Sequence, residues 1–268
     1  MGLHVIVLAA GKGKRMRSEL AKVLHEAAGR PLIAWVLEAV APLRPDTNVV
    51  VVGHQADLVT ALLPDDVRVA HQASQLGTGD AARVGLTHVE ADPADTILVV
   101  PGDMPLIRAD TLRRLLEAHE TGVAVATVLT CRAVDRTGYG RIVREAGDVV
   151  RIVEEGDATE GERAVDEINT SVYAFTAGSL GPALEAIGRD NAQGELYLTD
   201  VIGVLAGGGG RVAAVGAAPV EGMGVNTSAE LESVTLALTE RAATAAEVSH
   251  RASDTGYPAR GREQRERD

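Results

Sequence analysis

The amino-acid sequence predicts an α/β fold in which helices flank a mixed, mostly parallel β-sheet. Apolar segments rich in β-branched residues alternate along the chain with segments of helical periodicity, which is the pattern of strands joined by crossover helices. The strand candidates are so apolar that both of their faces must be covered. With 268 residues, of which 46% are hydrophobic, the chain is long enough for one large domain or a domain with an added lobe.

The predicted elements follow one another in a regular order. Strands are predicted at residues 4–8, 48–52, 67–71, 96–100 and 123–130, and helices at residues 32–41, 56–62, 79–88 and 108–120. The middle of the chain changes character, and short strands are predicted at 138–143, 149–153 and 168–175. We expect this small β-rich insert to form a second wall over a site at the strand ends. Helices at 177–187 and 196–205 and a strand at 211–215 follow.

The C-terminal part is predicted to differ from the domain formed by residues 1–227. Residues 228–248 have the periodicity of an amphipathic helix. In residues 249–268, charged residues, Gly and Pro replace apolar ones, which predicts a disordered tail. No hexapeptide repeat typical of a β-helix occurs anywhere in the sequence.

The composition argues against several classes of function. Aromatic residues make up 2% of the chain and its net charge is −12, so neither a nucleic-acid platform nor an anionic membrane surface is expected as a partner. The single cysteine, Cys131, cannot form an intramolecular disulfide and is predicted to be a buried, inert thiol. The apolar N-terminal segment is too short for a signal peptide or a membrane span, so we expect a soluble cytoplasmic protein.

The first candidate site is a basic, glycine-containing loop after the first strand. All three lysines of the chain, Lys12, Lys14 and Lys22, lie within eleven residues of one another, and Arg15 lies among them. Glycine lets the backbone approach a ligand, and lysine supplies a compact charge for phosphate. The loop lacks the spacing of a P-loop, and Met16 stands where a dinucleotide fingerprint needs its third glycine, so Met16 is predicted to lie in the core. The alternative is a solvated basic turn.

The second candidate runs from Gln72 to Gly79, between a predicted strand and a predicted helix. Gly77 and Gly79 permit a tight backbone approach, and free N–H groups at a helix start attract anions or polar base edges. A glutamine side chain can pair with an amide-like edge such as that of uracil. The alternative is an ordinary strand-to-helix turn with Thr78 as its cap.

The third candidate is Asp103, which follows a predicted buried strand. Open α/β sheets bind ligands at the carboxyl ends of their strands, and a hard carboxylate in that place suits Mg²⁺ together with substrate phosphates. Alternatively, Asp103 is a turn residue before Pro105. Together, the three candidates form a nucleotide-sized group of cations, amides and a carboxylate at the ends of three strands.

These motifs resemble those of the sugar-1-phosphate nucleotidyltransferases, which have a Rossmann-like nucleotide-diphospho-sugar transferase fold. The matching segments, in chain order, are Leu8–Gly11 with Arg15, Met16 and Lys22, then Gln72 and Gln75–Gly79, Gly102–Asp103, Gly138–Ile142, Ile152–Glu154, Asp157–Thr159, Glu167–Thr170, Asn191–Asp200 and Gly224–Asn226. As a set they are similar to the uridyltransferase domain of the bifunctional N-acetylglucosamine-1-phosphate uridyltransferase/glucosamine-1-phosphate acetyltransferase, over roughly Val5 to Asn226.

The resemblance implies Mg²⁺-dependent transfer of a uridylyl group from UTP to N-acetylglucosamine 1-phosphate, which gives UDP-N-acetylglucosamine and pyrophosphate. It implies that the nucleotide is held by Leu8, Ala9, Ala10, Gly11, Gln72, Gly77 and Thr78, the phosphates by the catalytic cations Arg15 and Lys22, the amino sugar by Gly140, Glu154 and Asn169, and Mg²⁺ by Asp103 and Asn226. The acceptor phosphate is already anionic, so charge neutralisation is needed rather than a strong base or a covalent nucleophile.

Several departures from the family pattern leave alternatives open. The sequence lacks the hexapeptide β-helix of the acetyltransferase domain, so neither acetyl transfer nor the β-helix trimer is expected, and we predict a monomer or weak homo-oligomer. Ser171 and Thr227 stand where the family usually has Gly and Asn. The alternatives are transfer to another sugar 1-phosphate, such as thymidylyl transfer in secondary metabolism, a non-catalytic nucleotide-sugar-binding regulator, and a glycosyltransferase.

Overall fold

The fold is that of a computed structural model, which describes residues 1–133 and 135–254. The strands are β1 (Leu3–Ala9), β2 (Glu26–Ala27), β3 (Arg30–Pro31), β4 (Thr47–Val52), β5 (Arg68–His71), β6 (Thr96–Pro101), β7 (Ala126–Arg132), β8 (Arg141–Glu145), β9 (Asp148–Val153), β10 (Glu167–Thr176) and β11 (Val212–Gly216). The helices are α1 (Leu32–Val40), α2 (Ala56–Thr60), α3 (Thr78–Leu86), α4 (Ala109–Thr121), α5 (Glu160–Arg163), α6 (Ala177–Ala186), α7 (Asp200–Gly207) and α8 (Ser228–Asp254).

Nine of these strands form one mixed sheet. Seven of them lie in the order β11-β7-β10-β6-β1-β4-β5, and the β8–β9 hairpin is attached to β10. Strands β5, β4, β1 and β6 are parallel, whereas β10 runs antiparallel to β6, β7 and β8. The start of β10 therefore lies at the same edge of the sheet as the carboxyl ends of β1, β5 and β6. The predicted α/β fold with a mixed, helix-flanked sheet is confirmed.

Both faces of the sheet are buried, as the apolar strands predict. Ile6 of β1 belongs to the apolar cluster on one face, and its neighbours Val5 and Val7 belong to the cluster on the other, because successive strand residues point to opposite faces. The predicted buried thiol is also found, since Cys131 is 3% exposed and burial raises the pKa of its thiol to about 11.

The β-rich insert consists of the β8–β9 hairpin and the first half of β10. Ala146 and Gly147 at the hairpin tip both have positive φ, 49° and 98°, as a tight two-residue hairpin turn requires. The short helix α5 follows the hairpin and starts with a capping box between Thr159 and Glu162. Sequence reasoning missed α5, although the Thr-x-x-Glu spacing was a usable signal.

Tertiary contacts move two of the predicted boundaries. Helix α7 begins at Asp200 rather than at 196, because the Leu196 nitrogen donates to the Leu76 oxygen at 2.8 Å and the Leu196 oxygen accepts from the Gly79 nitrogen at 2.8 Å. Strand β7 begins at Ala126 rather than at 123, and Val123 is an exposed residue with a φ of 47°. The small β2–β3 hairpin was not predicted.

The C-terminal helix α8 packs against the N-terminal basic loop. Val234 and Leu238 of α8 share an apolar cluster with Met16 and Leu106, which confirms Met16 as a core residue. The helix ends at Asp254, beyond the predicted end at 248, and residues 255–268 of the predicted tail lie outside the described residues. No helix in the two described ranges is long and apolar enough to cross a membrane.

Candidate active site

A cleft of about 600 Å³ opens at the carboxyl ends of β1, β5 and β6, with the β-rich insert as its opposite wall. All of the predicted nucleotide, phosphate and metal residues line it: Leu8, Ala9, Ala10, Gly11, Arg15, Lys22, Gln72, Gly77, Thr78, Asp103 and Asn226. Of the predicted sugar residues, Glu154 lines the cleft, and Gly140 and Asn169 lie behind its wall. The topology therefore brings three distant sequence motifs and the insert into one cavity.

The end of the cleft where the predicted nucleotide residues Gln72, Gly77 and Thr78 lie, called the nucleotide end after that prediction, is shaped mainly by backbone. Gly77 precedes α3 with a φ of 118°, and a Cβ atom there would overlap the Leu196 carbonyl oxygen and lie 2.8 Å from the Leu196 nitrogen. The Thr78 hydroxyl accepts from the Leu198 nitrogen at 3.0 Å instead of capping α3, so the alternative of a Thr78-capped turn is wrong. The turn is fixed by its packing against residues 196–198.

Gln72 is held in one orientation at this end. The side chain is 4% exposed, and its amide nitrogen donates to Asp80 Oδ2 at 2.8 Å and to the Gly77 oxygen at 3.2 Å. Because the nitrogen is used internally, the side-chain oxygen of Gln72 is the atom that can accept from a ligand.

A compact group of charged and amide side chains occupies the middle of the cleft. The Lys22 ammonium contacts the Asp103 carboxylate and donates to Asn226 Oδ1 at 3.1 Å. Arg15 Nη2 donates to the same Asn226 oxygen at 2.9 Å. The backbone reinforces this arrangement, since the Val225 backbone nitrogen donates to the Asp103 backbone oxygen at 3.0 Å.

The oxygens of Asp103 and Asn226 fit the implied Mg²⁺. Both contact the Lys22 ammonium, so two hard oxygen donors converge on one cation-sized position. Mg²⁺ is typically held by one or two carboxylates and completed by water and substrate phosphates. Within the described part of the chain, no group of three or more His, Cys, Asp or Glu side chains could hold a metal ion, so Asp103 and Asn226 would supply only part of a Mg²⁺ coordination shell.

Asn226 is positioned by the first turn of α8. Glu230 Oε2 accepts from the backbone nitrogens of Asn226 and Thr227, both at 2.7 Å, and the Thr227 hydroxyl accepts from the Glu230 nitrogen at 3.2 Å. This reciprocal capping box uses Thr227, one of the departures from the family pattern. Helix α8 thus holds both Asn226 and, through Met16, the loop of Arg15.

Glu154 is a half-buried carboxylate after β9. It lies, with Ser171, at the end of the cleft that borders the predicted sugar residues, called the sugar end after that prediction. Glu154 Oε1 accepts from the Thr199 hydroxyl at 3.0 Å. Burial raises the pKa of Glu154, and the nearby Asp200 and Asp157 add to the effect. A Cβ atom on Gly140 would lie 3.0 Å from Ile152 Cγ2 and at the ordinary contact distance of 3.6 Å from Glu154 Oε1 and the Asn169 Cβ atom, so Gly140 borders both predicted sugar residues.

Asn169 is placed differently from what its predicted sugar contact requires. It is 2% exposed, its Oδ1 accepts from the Ser171 nitrogen at 3.0 Å, and its Nδ2 donates to the Tyr173 hydroxyl at 2.7 Å. Ser171 lines the cleft in front of it. Asn169 therefore lies in the layer of residues behind the cleft wall.

Sequence reasoning gave too small a role to several other residues that line the cleft. Tyr139, Gln193, Glu195 and Tyr197 all line it, and none of them is among the site residues that the resemblance implies. The Tyr139 hydroxyl accepts from the Gly224 nitrogen at 3.3 Å and so connects the insert to the segment before Asn226. Burial raises the pKa of Tyr139 and raises that of Tyr197 to about 12, so both hydroxyls are neutral hydrogen-bonding groups at physiological pH.

Comparison with known proteins finds extensive sequence similarity. The family profile described as "MobA-like NTP transferase domain" matches residues 5–196. The chain is 48% identical over 231 residues to "Bifunctional protein GlmU" of Brevibacillus brevis, covering 85% of this chain and 50% of the relative. It is 47% identical over 248 residues to the protein of the same name from Streptomyces avermitilis, covering 90% and 52%. The chain thus spans about half the length of these curated relatives.

Solved structures show the same fold at low sequence identity. A nucleotidyl transferase from Methanothermobacter thermautotroptrophicus superposes with a TM-score of 0.62 at 21% identity, covering 90% of this chain and 99% of that one. The inositol-1-phosphate CTP transferase from T. maritima gives a TM-score of 0.64 at 17% identity, covering 85% and 90%. The predicted resemblance and the predicted nucleotidyltransferase class are confirmed by these comparisons. The chain belongs to the family of MobA-like NTP transferase domains.

Proposed function

We propose that the protein transfers a uridylyl group from UTP to N-acetylglucosamine 1-phosphate, with Mg²⁺, and releases pyrophosphate. The observation that carries the proposal is the placement of Arg15, Lys22, Asp103 and Asn226 between the nucleotide end and the sugar end of one cleft. Two phosphorylated anions can meet there because cations and metal-ready oxygens lie between their sites.

The nucleotide end suits a uracil base. The side-chain oxygen of Gln72 is the acceptor that this residue can offer, and the N3–H of uracil is a donor. The backbone at Gly77 and Thr78 is held rigidly against Leu196, so its amide groups are pre-organised for a planar base edge. The loop Leu8–Gly11 lines the same end and supplies backbone contacts to the nucleotide.

Transfer then needs charge neutralisation more than proton transfer. An oxygen of the sugar phosphate bonds to the α-phosphorus of UTP while the bond from that phosphorus to the pyrophosphate oxygen breaks. Arg15 and Lys22 bind the phosphate oxygens and stabilise the charge that develops on them. Asp103 and Asn226 would hold Mg²⁺, which would supply further positive charge to the reacting and leaving phosphates.

The sugar end supplies polar groups for a hexose. Glu154 lines the pocket and Gly140 lies next to it, and the Thr199 hydroxyl fixes the Glu154 carboxylate. The resemblance of the sequence motifs to the uridyltransferase domain supports an amino-sugar phosphate as the acceptor.

A substrate panel tests this function. Each of the four common NTPs is incubated with N-acetylglucosamine 1-phosphate, glucosamine 1-phosphate, glucose 1-phosphate or mannose 1-phosphate, with and without Mg²⁺, and pyrophosphate release is measured. The highest kcat/KM is expected for UTP with N-acetylglucosamine 1-phosphate, and only with the metal. A higher value for another pair would replace the substrates, and absence of release with every pair would favour a non-catalytic nucleotide-sugar-binding protein.

A further inference from the structure

Ser171 has an unusual backbone conformation at the sugar end of the cleft. Its φ is 63°, in the left-handed region that a Cβ atom disfavours. The residue lies in a β-bulge, because β10 pairs with β7 through Asn169 and Thr130 and next through Val172 and Leu129. Two residues of β10, Thr170 and Ser171, therefore oppose no residue of β7.

The bulge places two polar residues in different layers. It places Asn169 behind the wall, with both ends of its amide hydrogen-bonded to Ser171 and Tyr173, and it brings Ser171 to the cleft. Asn169 Nδ2 also lies 3.5 Å from Ser171 Oγ, at the long limit of a hydrogen bond. Asn169 thus fixes the orientation of Ser171 from behind.

The hydroxyl of the neighbouring Thr170 is used in a hydrogen bond within the protein. Thr170 Oγ1 donates to the Leu129 oxygen at 2.7 Å and is buried. Ser171 is half-buried in the cleft wall, so its hydroxyl is the polar group that β10 presents to a ligand here. A side chain held in a disfavoured conformation at a cleft points to a functional constraint.

We propose that Ser171 is a specificity-determining residue for the acceptor, and that Asn169 is its positioning residue. The Ser171 hydroxyl forms a hydrogen bond with a polar ring substituent of a hexose 1-phosphate, and its Cβ atom limits the depth of the pocket. This inference rests on the proposed function, since it requires a sugar phosphate at this end of the cleft.

Two substitutions separate the effect of the Ser171 hydroxyl from the effect of its Cβ atom on the backbone. Ser171→Ala removes the hydroxyl and keeps the Cβ atom, and Ser171→Gly removes both. With saturating UTP, we expect Ser171→Ala to raise the KM for N-acetylglucosamine 1-phosphate about tenfold, as loss of one well-formed hydrogen bond does. The KM for UTP should change less than about twofold, because Ser171 lies at the other end of the cleft.

Ser171→Gly should raise the sugar KM at least as much and also raise the Tm by about 2–4 °C, since glycine adopts positive φ without strain. The control is Ser233→Ala on the exposed side of α8, which should change neither KM. Weaker sugar binding in a more stable protein is an outcome that a merely structural serine cannot produce.

Wild-type turnover is measured first, so that the two proposals fail separately. If the wild type uses no sugar 1-phosphate, the proposed function is wrong and this assignment falls with it. If the wild type is active and Ser171→Ala leaves the sugar KM unchanged, the assignment of Ser171 alone is overturned. Equal increases in both KM values would also overturn it, because they would indicate a general disturbance of the cleft.

Discussion

The two ends of the cleft are built in different ways. At the nucleotide end, the turn before α3 is pressed against the backbone of residues 196–198, and Gly77 leaves no room for a side chain. At the sugar end, the surface depends on side-chain pairs such as Thr199 with Glu154 and Asn169 with Ser171 and Tyr173. The proposed nucleotide binding is therefore tied to the fold itself, whereas the proposed sugar end can change through a few side chains.

The largest expected effect is at Gly77. Gly77→Ala forces a Cβ atom into the Leu196 backbone at a φ of 118°, which we expect to destabilise the protein by about 3 kcal/mol or more. The measurement is the free energy of unfolding in urea. The control is Gly161→Ala, where no atom lies within 4 Å of the added Cβ. Equal stabilities of the two variants would show that the nucleotide end is not tied to the fold.

The next largest effect is expected between the two ends. Asp103→Asn keeps the shape of the side chain and removes the negative charge that faces Lys22, so the proposed metal position loses its carboxylate. We expect kcat to fall on the order of 100-fold or more while the Tm stays close to that of the wild type. The exposed Asp65 supplies the matched control, Asp65→Asn, and a kcat within about threefold of the wild type for Asp103→Asn would contradict the assigned role.

A smaller effect than that of Asp103→Asn is expected when the first turn of helix α8 is changed. Glu230→Ala removes the acceptor for the Asn226 and Thr227 nitrogens, so the protein should lose about 1 kcal/mol of stability. Because Asn226 is then less well fixed, kcat should fall about tenfold. Glu232→Ala on the exposed surface of the same helix serves as the comparison. Rescue of kcat by Glu230→Gln, whose side-chain oxygen still accepts a hydrogen bond, would support a positioning role for Glu230. Identical kinetics for Glu230→Ala and the wild type would refute that role.

The smallest expected effect is a pH-dependent gain in stability when Glu154, at the sugar end, is replaced by Gln. Burial raises the pKa of Glu154 above its value in the unfolded chain, so the folded state holds this proton more tightly. Stability from this group is fully present below the unfolded pKa and is lost as the pH rises through the folded pKa. Glu154→Gln should therefore have the wild-type Tm in acid and a higher Tm at neutral pH, with weaker binding of the sugar phosphate. A lower Tm at neutral pH would contradict the direction of the pKa shift.

The same contrast explains how much the sequence could predict. The basic loop that starts after β1, the turn at Gly77 and the carboxylate of Asp103 were identified because each lies in the segment that follows a buried strand, and parallel strands end at one edge. The positive φ of Ser171 and the burial of Asn169 could not be predicted, since they depend on how β10 pairs with β7. The late start of α7 has the same origin in long-range contacts.

Some missed features did have local signals. Thr227 and Glu230 have the Thr-x-x-Glu spacing of a capping box, as Thr159 and Glu162 do, and that spacing marks a helix start. In contrast, Gln193 and Tyr197 line the cleft only because residues 196–198 pack against the turn before α3, and no local pattern indicates such packing.

The most direct test of one continuous cleft with two unlike ends is a crystal structure of the protein with UDP-N-acetylglucosamine and Mg²⁺. We expect uracil beside Gln72, Gly77 and Thr78, the diphosphate beside Arg15 and Lys22, and the sugar against Glu154 and Ser171. A product molecule whose sugar points away from the β8–β9 hairpin, or which binds outside this cleft, would show that the two ends are wrongly assigned.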